Sequence, residues 1–314
     1  MDRIRIGASS PLGWPSPSVT VGNFDGVHRG HQALVSAAVA RARETGGLAV
    51  VLTFEPHPAR VLRPDRAPAA LTTLAQKEEL LAGLGASRLA VLPFDASVAG
   101  LSPEAFARGV LQETLGARDV FVGEAFRFGH RREGDARRLA ELGARLGFTV
   151  RAVPAVLEQG SPVSSSRVRD ALASGDVRMA RALLGRPYFV DGRVVRGAGR
   201  GRTIGIPTAN LAPENEILPR PGVYAGRGRV PGRGSWPAVV NLGRRPTFGG
   251  GDLALEAHLI GFAGDLYGAG VRLSFHERLR DEQRFPGRDA LVARVLEDVA
   301  QARALLSEPG DDGV

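Results

Sequence analysis

From Ser18 to about Val156, short apolar runs alternate with stretches of helical period, and after Gly185 that alternation stops. The runs SVTVG, LAVVLTF, RLAVLPF, DVFVG and FTVRAVPAV are rich in β-branched residues and bounded by turn formers, which predicts buried strands. Between them HQALVSAAVARARE, LAQKEELLAGL, SPEAFARGVLQETL and GDARRLAELGARLG carry apolar residues at 3.6 spacing. Ser102 followed by Pro103 supplies an N-cap and a first-turn residue for the third of these. Strand and helix in alternation predict an α/β domain, a parallel sheet with helices on both faces.

Two short helical segments follow, Ser166 to Ala173 and Asp176 to Leu184, and read as connective. Beyond them YFVDGRVV, GVYAGRGRV, SWPAVVNL, LALEAHLIGF and VRLSFHERL are strand-like and separated by Gly- and Pro-rich segments. Strands spaced by turns, without long intervening helices, predict an antiparallel barrel or sandwich. A final amphipathic helix over about Arg288 to Leu306 is expected to pack on it, with Ser307 to Val314 as a tail. At 314 residues the chain can hold two cores, and the change of pattern divides it into residues 1–184 and 185–314.

No apolar run reaches the roughly 18 residues that span a bilayer, and Met1 to Pro17 lacks a signal-peptide pattern, so the expected place is the cytoplasm. Cysteine is absent, which excludes disulfides, thiolate catalysis and thiolate zinc sites. The net charge of +8 invites a nucleic-acid partner. The arginines are scattered through every segment, however, and only Lys77 among the 41 basic residues is a lysine. An arginine-for-lysine bias explains the charge, and no nucleic-acid or membrane partner is expected. Lys77 sits in an amphipathic helical stretch outside any P-loop or protein-kinase motif, so phosphate chemistry here must use another design.

VTVGNFDGVHRGHQALV, residues 19–35, runs a strand into a Gly-rich turn and then a helix, the arrangement that binds anions beyond the carboxyl end of a strand. Gly22, Gly26 and Gly30 permit close backbone approach, and His28 and His31 share a helix face if the helix begins there. This makes a phosphate site with two imidazole donors, suited to attack of a substrate phosphate on the α-phosphorus of ATP. A plain helix start with two incidental histidines is the alternative. A second Gly-rich segment, GAGRGRTIGIPTANL at residues 197–211, offers the Thr208 hydroxyl and the Asn210 amide oxygen, hard donors suited to magnesium. Its glycine amides, with Arg200 or Arg202, suit ATP phosphates, although Gly-Arg runs are often solvated loops.

The motif N-F-D-G-V-H-R-G-H resembles the H-x-G-H nucleotidyltransferase signature in the form found in bacterial bifunctional riboflavin kinase/FMN adenylyltransferases. VSSSRVRDAL, residues 163–172, resembles that family's second signature, which implies Ser165, Ser166 and Arg169 on the ATP phosphates with the serines capping a helix. The same resemblance implies ATP contacts from Gly22, Asn23, Phe24, Asp25 and Gly30, and catalytic roles for His28, His31 and Arg169. Phe54, Pro56 and Pro58 of FEPHP are similar to the flavin-side loop. VGEAFRFGHRREGD is similar to a further segment through Phe126, Phe128, Arg132 and Asp135, with Ala125 where the family usually has an acid or amide.

In the C-terminal half GAGRGRTIGIPTAN closely resembles the flavokinase G-x-G-R-G-x-x-x-G-x-P-T-A-N motif, with Ile206 in place of a Phe. That implies ATP contacts from Gly197, Gly199, Arg200, Gly201, Arg202 and Pro207, and a metal at Thr208 and Asn210. NLGRRPTF, residues 241–248, and LRDEQRF, residues 279–285, match further motifs, the latter implying flavin contacts from Arg280, Glu282 and Phe285. LEAHLIGFAGDLYG, residues 255–268, is similar to the strand carrying the catalytic carboxylate, so Glu256 is implied as general base, and Gly261 replaces a frequent Asp.

The resemblance covers about residues 18–306. It implies a Rossmann-like nucleotidyltransferase domain followed by a flavokinase β-barrel with a terminal helix. The implied substrates are riboflavin, FMN and ATP with Mg2+, and FMN and FAD are substrate and product rather than redox cofactors. A monomer or weak homo-oligomer is expected. The alternatives are a nucleotidyltransferase of the same fold acting on another substrate, and a non-catalytic flavin- or nucleic-acid-binding regulator.

Overall fold

The computed structural model describes residues 1–7, 11–197, 205–244 and 253–306. Its contacts divide it into two compact units that meet in sequence between Ser164 and Ser165.

In the N-terminal unit the predicted strands form a parallel sheet. Its members are β1 (Asp2–Arg5), β2 (Ser18–Val21), β3 (Ala49–Glu55), β4 (Arg88–Pro93), β5 (Asp119–Gly123) and β8 (Thr149–Val153). Their order across the sheet is β1-β4-β3-β2-β5-β8. Two short hairpins, β6 (Arg127–Phe128) with β7 (Gly134–Asp135) and β9 (Leu157–Glu158) with β10 (Ser161–Pro162), decorate it. The edge strand β1 was not anticipated, because DRIR carries three charges in four residues.

The chain goes from β2 to β3 on one side and later returns to β5 on the other. The carboxyl end of β2 is therefore the topological switch point, the place where such sheets bind ligands. Every residue of β2 is buried, as a strand covered on both faces requires.

The connecting helices are α1 (Arg29–Thr45), α2 (Pro58–Leu62), α3 (Leu74–Gly83), α4 (Ala96–Ala99), α5 (Pro103–Ala105) and α6 (Ala136–Leu146). Ser102 caps α5 through the amide of Ala105, as the Ser-Pro pair predicts. The helix then widens to π geometry over Phe106–Thr114. That segment and α6 lay Phe106, Leu111, Leu139 and Leu142 against Val19, Val50, Val120 and Val122 in one core. Each of these fully buried side chains contributes roughly 1.5–3 kcal/mol, enough to hold the end of β2 fixed.

The second unit opens with α7 (Ser165–Ser174) and α8 (Val177–Leu184), which pack beside the barrel rather than with the parallel sheet. The barrel strands are β11 (Tyr188–Val195), β12 (Ala209–Pro213), β13 (Gly222–Val230), β14 (Gly234–Arg244), β15 (Leu253–Leu259) and β16 (Gly270–Arg280). All pairs are antiparallel, and the sheet closes in the order β11-β12-β15-β14-β13-β16. Of barrel and sandwich, the barrel is what forms. The terminal helix α9 (Arg288–Leu305) packs on β13 and β14 through Ala302, with Leu306 just beyond its end. The tail from Ser307, the loop residues Gly199, Arg200, Gly201 and Arg202, and Arg245–Phe248 of the NLGRRPTF motif lie outside the described residues.

Candidate active sites

At the switch point the turn from Gly22 to His28 is locally strained. Phe24 and Val27 have φ of 49° and 42°, a conformation that costs a non-glycine residue about 1–2 kcal/mol. It persists because both side chains are buried, and because the Val27 carbonyl accepts from Gln32 Nε2 at 2.9 Å. Asp25 fastens the turn from the other side. Its Oδ1 accepts from the backbone amides of Leu71 and Thr72 at 2.9 and 3.3 Å. Asn23 meets His57 at 3.1 Å, and His57 in turn caps α2. A side chain on Gly30 would press on the His28 ring at 3.2 Å, so glycine keeps that approach open.

His28 is the N-cap of α1, and its Nδ1 accepts the His31 amide at 3.4 Å. A neutral His28 therefore carries its proton on Nε2. The two imidazoles stack with centroids 3.6 Å apart and planes inclined by 16°, so the shared face read from their spacing is real. Burial, then His28, then Lys77 hold the His31 imidazole well below its usual pKa. His31 Nδ1 is buried without a hydrogen-bond partner. The result is a stacked pair of rings, with His31 held neutral, at the amino end of a 17-residue helix, where an anion is favoured.

Lys77 is the residue that sequence reasoning passed over. It is buried on α3, next to the capping box that Thr73 and Gln76 form. Burial lowers its pKa while Asp25 and Glu55 oppose the shift. The sequence shows Lys77 only as part of an amphipathic helical stretch, and nothing local shows that Asp25 of the phosphate turn acts on its ammonium.

Phe54, at the end of β3, meets Phe94 edge-on at 5.7 Å and Phe106 at 6.5 Å. Phe126 and Phe128 stack at 5.5 Å, and Phe106 joins Phe128 at 5.7 Å. These rings form one aromatic wall. Pro56 follows a cis bond after Glu55, Pro58 starts α2, and Ala125 is exposed in the turn after β5. Asp135 caps α6, while Arg132 sits at φ 62°. Ser165 and Ser166 stand in the first turn of α7 and Arg169 further along it; all three belong to the barrel's contact unit.

In the barrel, β15 runs between β12 and β14. Glu256 is directly opposite Asn210 on one side and Asn241 on the other. Residues directly opposite in an antiparallel sheet project to the same face, so a carboxylate and two carboxamides form one row. Asn210 is buried, and a Cβ on Gly197 would overlap its carboxamide. Two residues along β15, His258 Nδ1 lies 2.8 Å from the Pro207 carbonyl, which ties down the residue before Thr208. Among the described residues no group of three or more His, Asp or Glu could hold a metal ion. The hard oxygen set of Thr208, Asn210 and Glu256 suits a cation that retains water ligands.

Models of two families match the chain in the same order as these two sites, FAD synthetase over residues 14–167 and riboflavin kinase over residues 184–306. A bifunctional riboflavin kinase/FMN adenylyltransferase from Pseudomonas fluorescens is 44% identical over 91% of this chain and 92% of its own length. The chain belongs to the bifunctional riboflavin kinase/FMN adenylyltransferase family.

Members from Escherichia coli K12 and Bacillus subtilis are 40% and 37% identical, over 91% and 90% of this chain and 91% and 90% of their own. A Streptococcus pneumoniae crystal structure described as a macrolide-efflux protein shares the fold with a TM-score of 0.88 and 33% identity. It covers 96% of this chain and 98% of its own. Among the described residues no helix is long and apolar enough to cross a membrane.

Of the kinase-half residues that the bifunctional riboflavin kinase/FMN adenylyltransferase motifs single out, Arg280 grips buried Asp298 of α9, and Phe285 lies 5.7 Å from its guanidinium. The Glu282 carboxylate rests on the backbone of Gly243 in β14. The end of β16 is thereby fastened to the terminal helix, and the segment after it lies close to β14 at Gly243.

Proposed function

We propose that the barrel phosphorylates riboflavin to FMN and that the N-terminal unit adenylylates FMN to FAD, ATP serving both steps. In this assignment residues 1–184 form the adenylyltransferase and 185–314 the kinase. The reading is carried by the row Asn210–Glu256–Asn241, supported by the stacked histidines at the switch point.

In the kinase step Glu256 takes the proton of the ribityl 5'-hydroxyl as that oxygen attacks the γ-phosphorus and ADP leaves. Asn210, fixed against Gly197, and Thr208, next to the anchored Pro207, would hold Mg2+. The ion, when bound, neutralises charge on the phosphates. Gly197, Gly199, Arg200, Gly201, Arg202 and Pro207 would complete the phosphate cradle, with Arg280, Glu282 and Phe285 on the flavin side.

In the adenylyl step an FMN phosphate oxygen attacks the α-phosphorus of ATP and pyrophosphate leaves. No proton has to move, so the groups needed are donors that meet spreading negative charge. His28 Nε2–H, a neutral His31 and the first amides of α1 supply them, and Ser165, Ser166 and Arg169 would add to them. Asn23 and Asp25 hold the turn, while Phe54, Pro56, Pro58, Phe126 and Phe128 would receive the flavin. Operation in the cytoplasm as a monomer or weak homo-oligomer completes the proposal.

Chromatography of products after incubation with riboflavin, ATP and magnesium tests it, with a parallel reaction started from FMN. FMN and FAD from riboflavin, and FAD from FMN, are expected; no flavin nucleotide in either reaction would overturn the reading.

A further inference from the structure

Lys77, the one lysine of the chain, is 7% exposed. Among the described residues its ammonium makes no hydrogen bond and no ion pair; the carboxylates of Asp25 and Glu55 act on it only through space. Burying an ammonium without a hydrogen-bonding partner is costly, so the fold's own contacts leave this charge unused. Its position is set by the backbone. Helix α3 lies in the crossover from β3 to its parallel neighbour β4, which brings the amino end of α3 to the carboxyl end of the sheet. The phosphate turn is tied to that end directly. The Gly26 amide donates to Thr72 Oγ1 at 3.2 Å, and the amides of Leu71 and Thr72 donate to Asp25. Lys77 stands one turn further in, its amide on the Thr73 carbonyl at 3.0 Å.

The groups within reach of this charge sit on separate elements that converge at the switch point. Asp25 is in the turn, Glu55 ends β3 beside Phe54 of the aromatic wall, and His31 is on α1. His31 Nδ1 is likewise buried without a hydrogen-bond partner. Two buried nitrogen groups, one on each of two helices, are thus left unmatched at the place where α1 favours an anion. We propose that the Lys77 ammonium binds a phosphate group of a substrate held at the switch point, a contact that rests on the adenylyl step proposed above. The phosphate supplies the missing partner as a charge-assisted hydrogen bond, and the cation comes from the flank of a crossover helix instead of a P-loop. Two sources share this chemistry, the 5'-phosphate of FMN and the phosphates of ATP. The competing role is indirect, with Lys77 doing no more than keeping His31 neutral.

The test is steady-state conversion of FMN to FAD by the full-length protein at pH 8, comparing wild type, Lys77→Met and Lys77→Gln, with melting temperatures measured alongside. An imidazole of ordinary pKa is already neutral at pH 8, so a defect there comes from Lys77 itself and not through His31. Both variants are expected to lose at least about tenfold in kcat/KM, the size of one hydrogen bond to a charged group. Their melting temperatures should equal or exceed that of the wild type, because an unpartnered buried charge has been removed, and FMN formation from riboflavin should be unchanged. A rise in KM for FMN assigns the ammonium to the flavin's phosphate. A rise in KM for ATP, or a fall in kcat alone, assigns it to the phosphates of ATP. Wild-type rates at pH 8 with a defect only at lower pH would overturn the contact and leave the indirect role. Lowered melting temperatures in both variants would also overturn it, marking a structural lysine. FMN left unconverted by the wild type would remove the adenylyl step and this contact together, whereas an active wild type with equally active variants would remove the contact alone.

Discussion

Asp298, buried on the terminal helix, receives the Arg280 guanidinium through three hydrogen bonds of 2.7 to 3.0 Å. Breaking a buried pair from one side strands the other charge, at a cost of about 3–5 kcal/mol. Asp298→Ala is therefore expected to lower barrel stability by that amount in urea unfolding. At temperatures where the variant stays folded, the KM for riboflavin should rise more than kcat falls, because Arg280 would no longer be held beside Phe285.

Protonation of His31 works against folding. Its pKa in the folded protein is depressed, chiefly by burial, whereas in the unfolded chain it is about 6.5. The stability it contributes is fully present above pH 6.5 and is lost as pH falls below that value toward the folded pKa. Melting temperatures measured between pH 7.5 and 5 should decline on the acid side, and His31→Asn should flatten that decline.

Lys77 is one of the groups that keep His31 neutral. Lys77→Met should move the His31 titration, followed by ring-proton NMR, up toward the ordinary imidazole range. Lys77→Arg keeps the charge but overfills a buried position and should cost about 1–3 kcal/mol of stability.

Separate sites predict separable defects. Glu256→Gln should abolish FMN formation and leave conversion of FMN to FAD intact, and His28→Ala with His31→Ala should do the reverse. Loss of both activities in a folded single-site variant, assayed from riboflavin and from FMN, would contradict two independent centres.

Gly197→Ala introduces a methyl group into the Asn210 carboxamide. If Asn210 helps to hold Mg2+, the magnesium concentration giving half-maximal kinase activity should rise about tenfold or more, with adenylylation of FMN unaffected.

The parallel sheet was legible because a strand buried on both faces must be a continuous apolar run, as in SVTV and AVVLTFE. Strand β12 was not, because PTANL carries Pro, Thr and Asn signals that read as a loop. Its strand character comes from pairing with β15, more than 40 residues later. The π turns over Phe106–Thr114 left no trace either, since one extra residue in a helical repeat hardly changes its apolar face. The histidine pair was visible from spacing alone. Burial of Lys77 and the grip of Asp298 on Arg280 depend on partners far away in sequence, and local pattern carries no record of them.

Barrel closure bears on how such a chain can change over generations. A single-residue slip of β15 would break its ladders to β12 and β14 together and turn Glu256 away from both asparagines. Loops at either end can lengthen, shorten or change composition while this spacing survives, so the barrel acts as a ruler. Variation in what the kinase half binds is free to accumulate in its connections, and the position of the carboxylate is not.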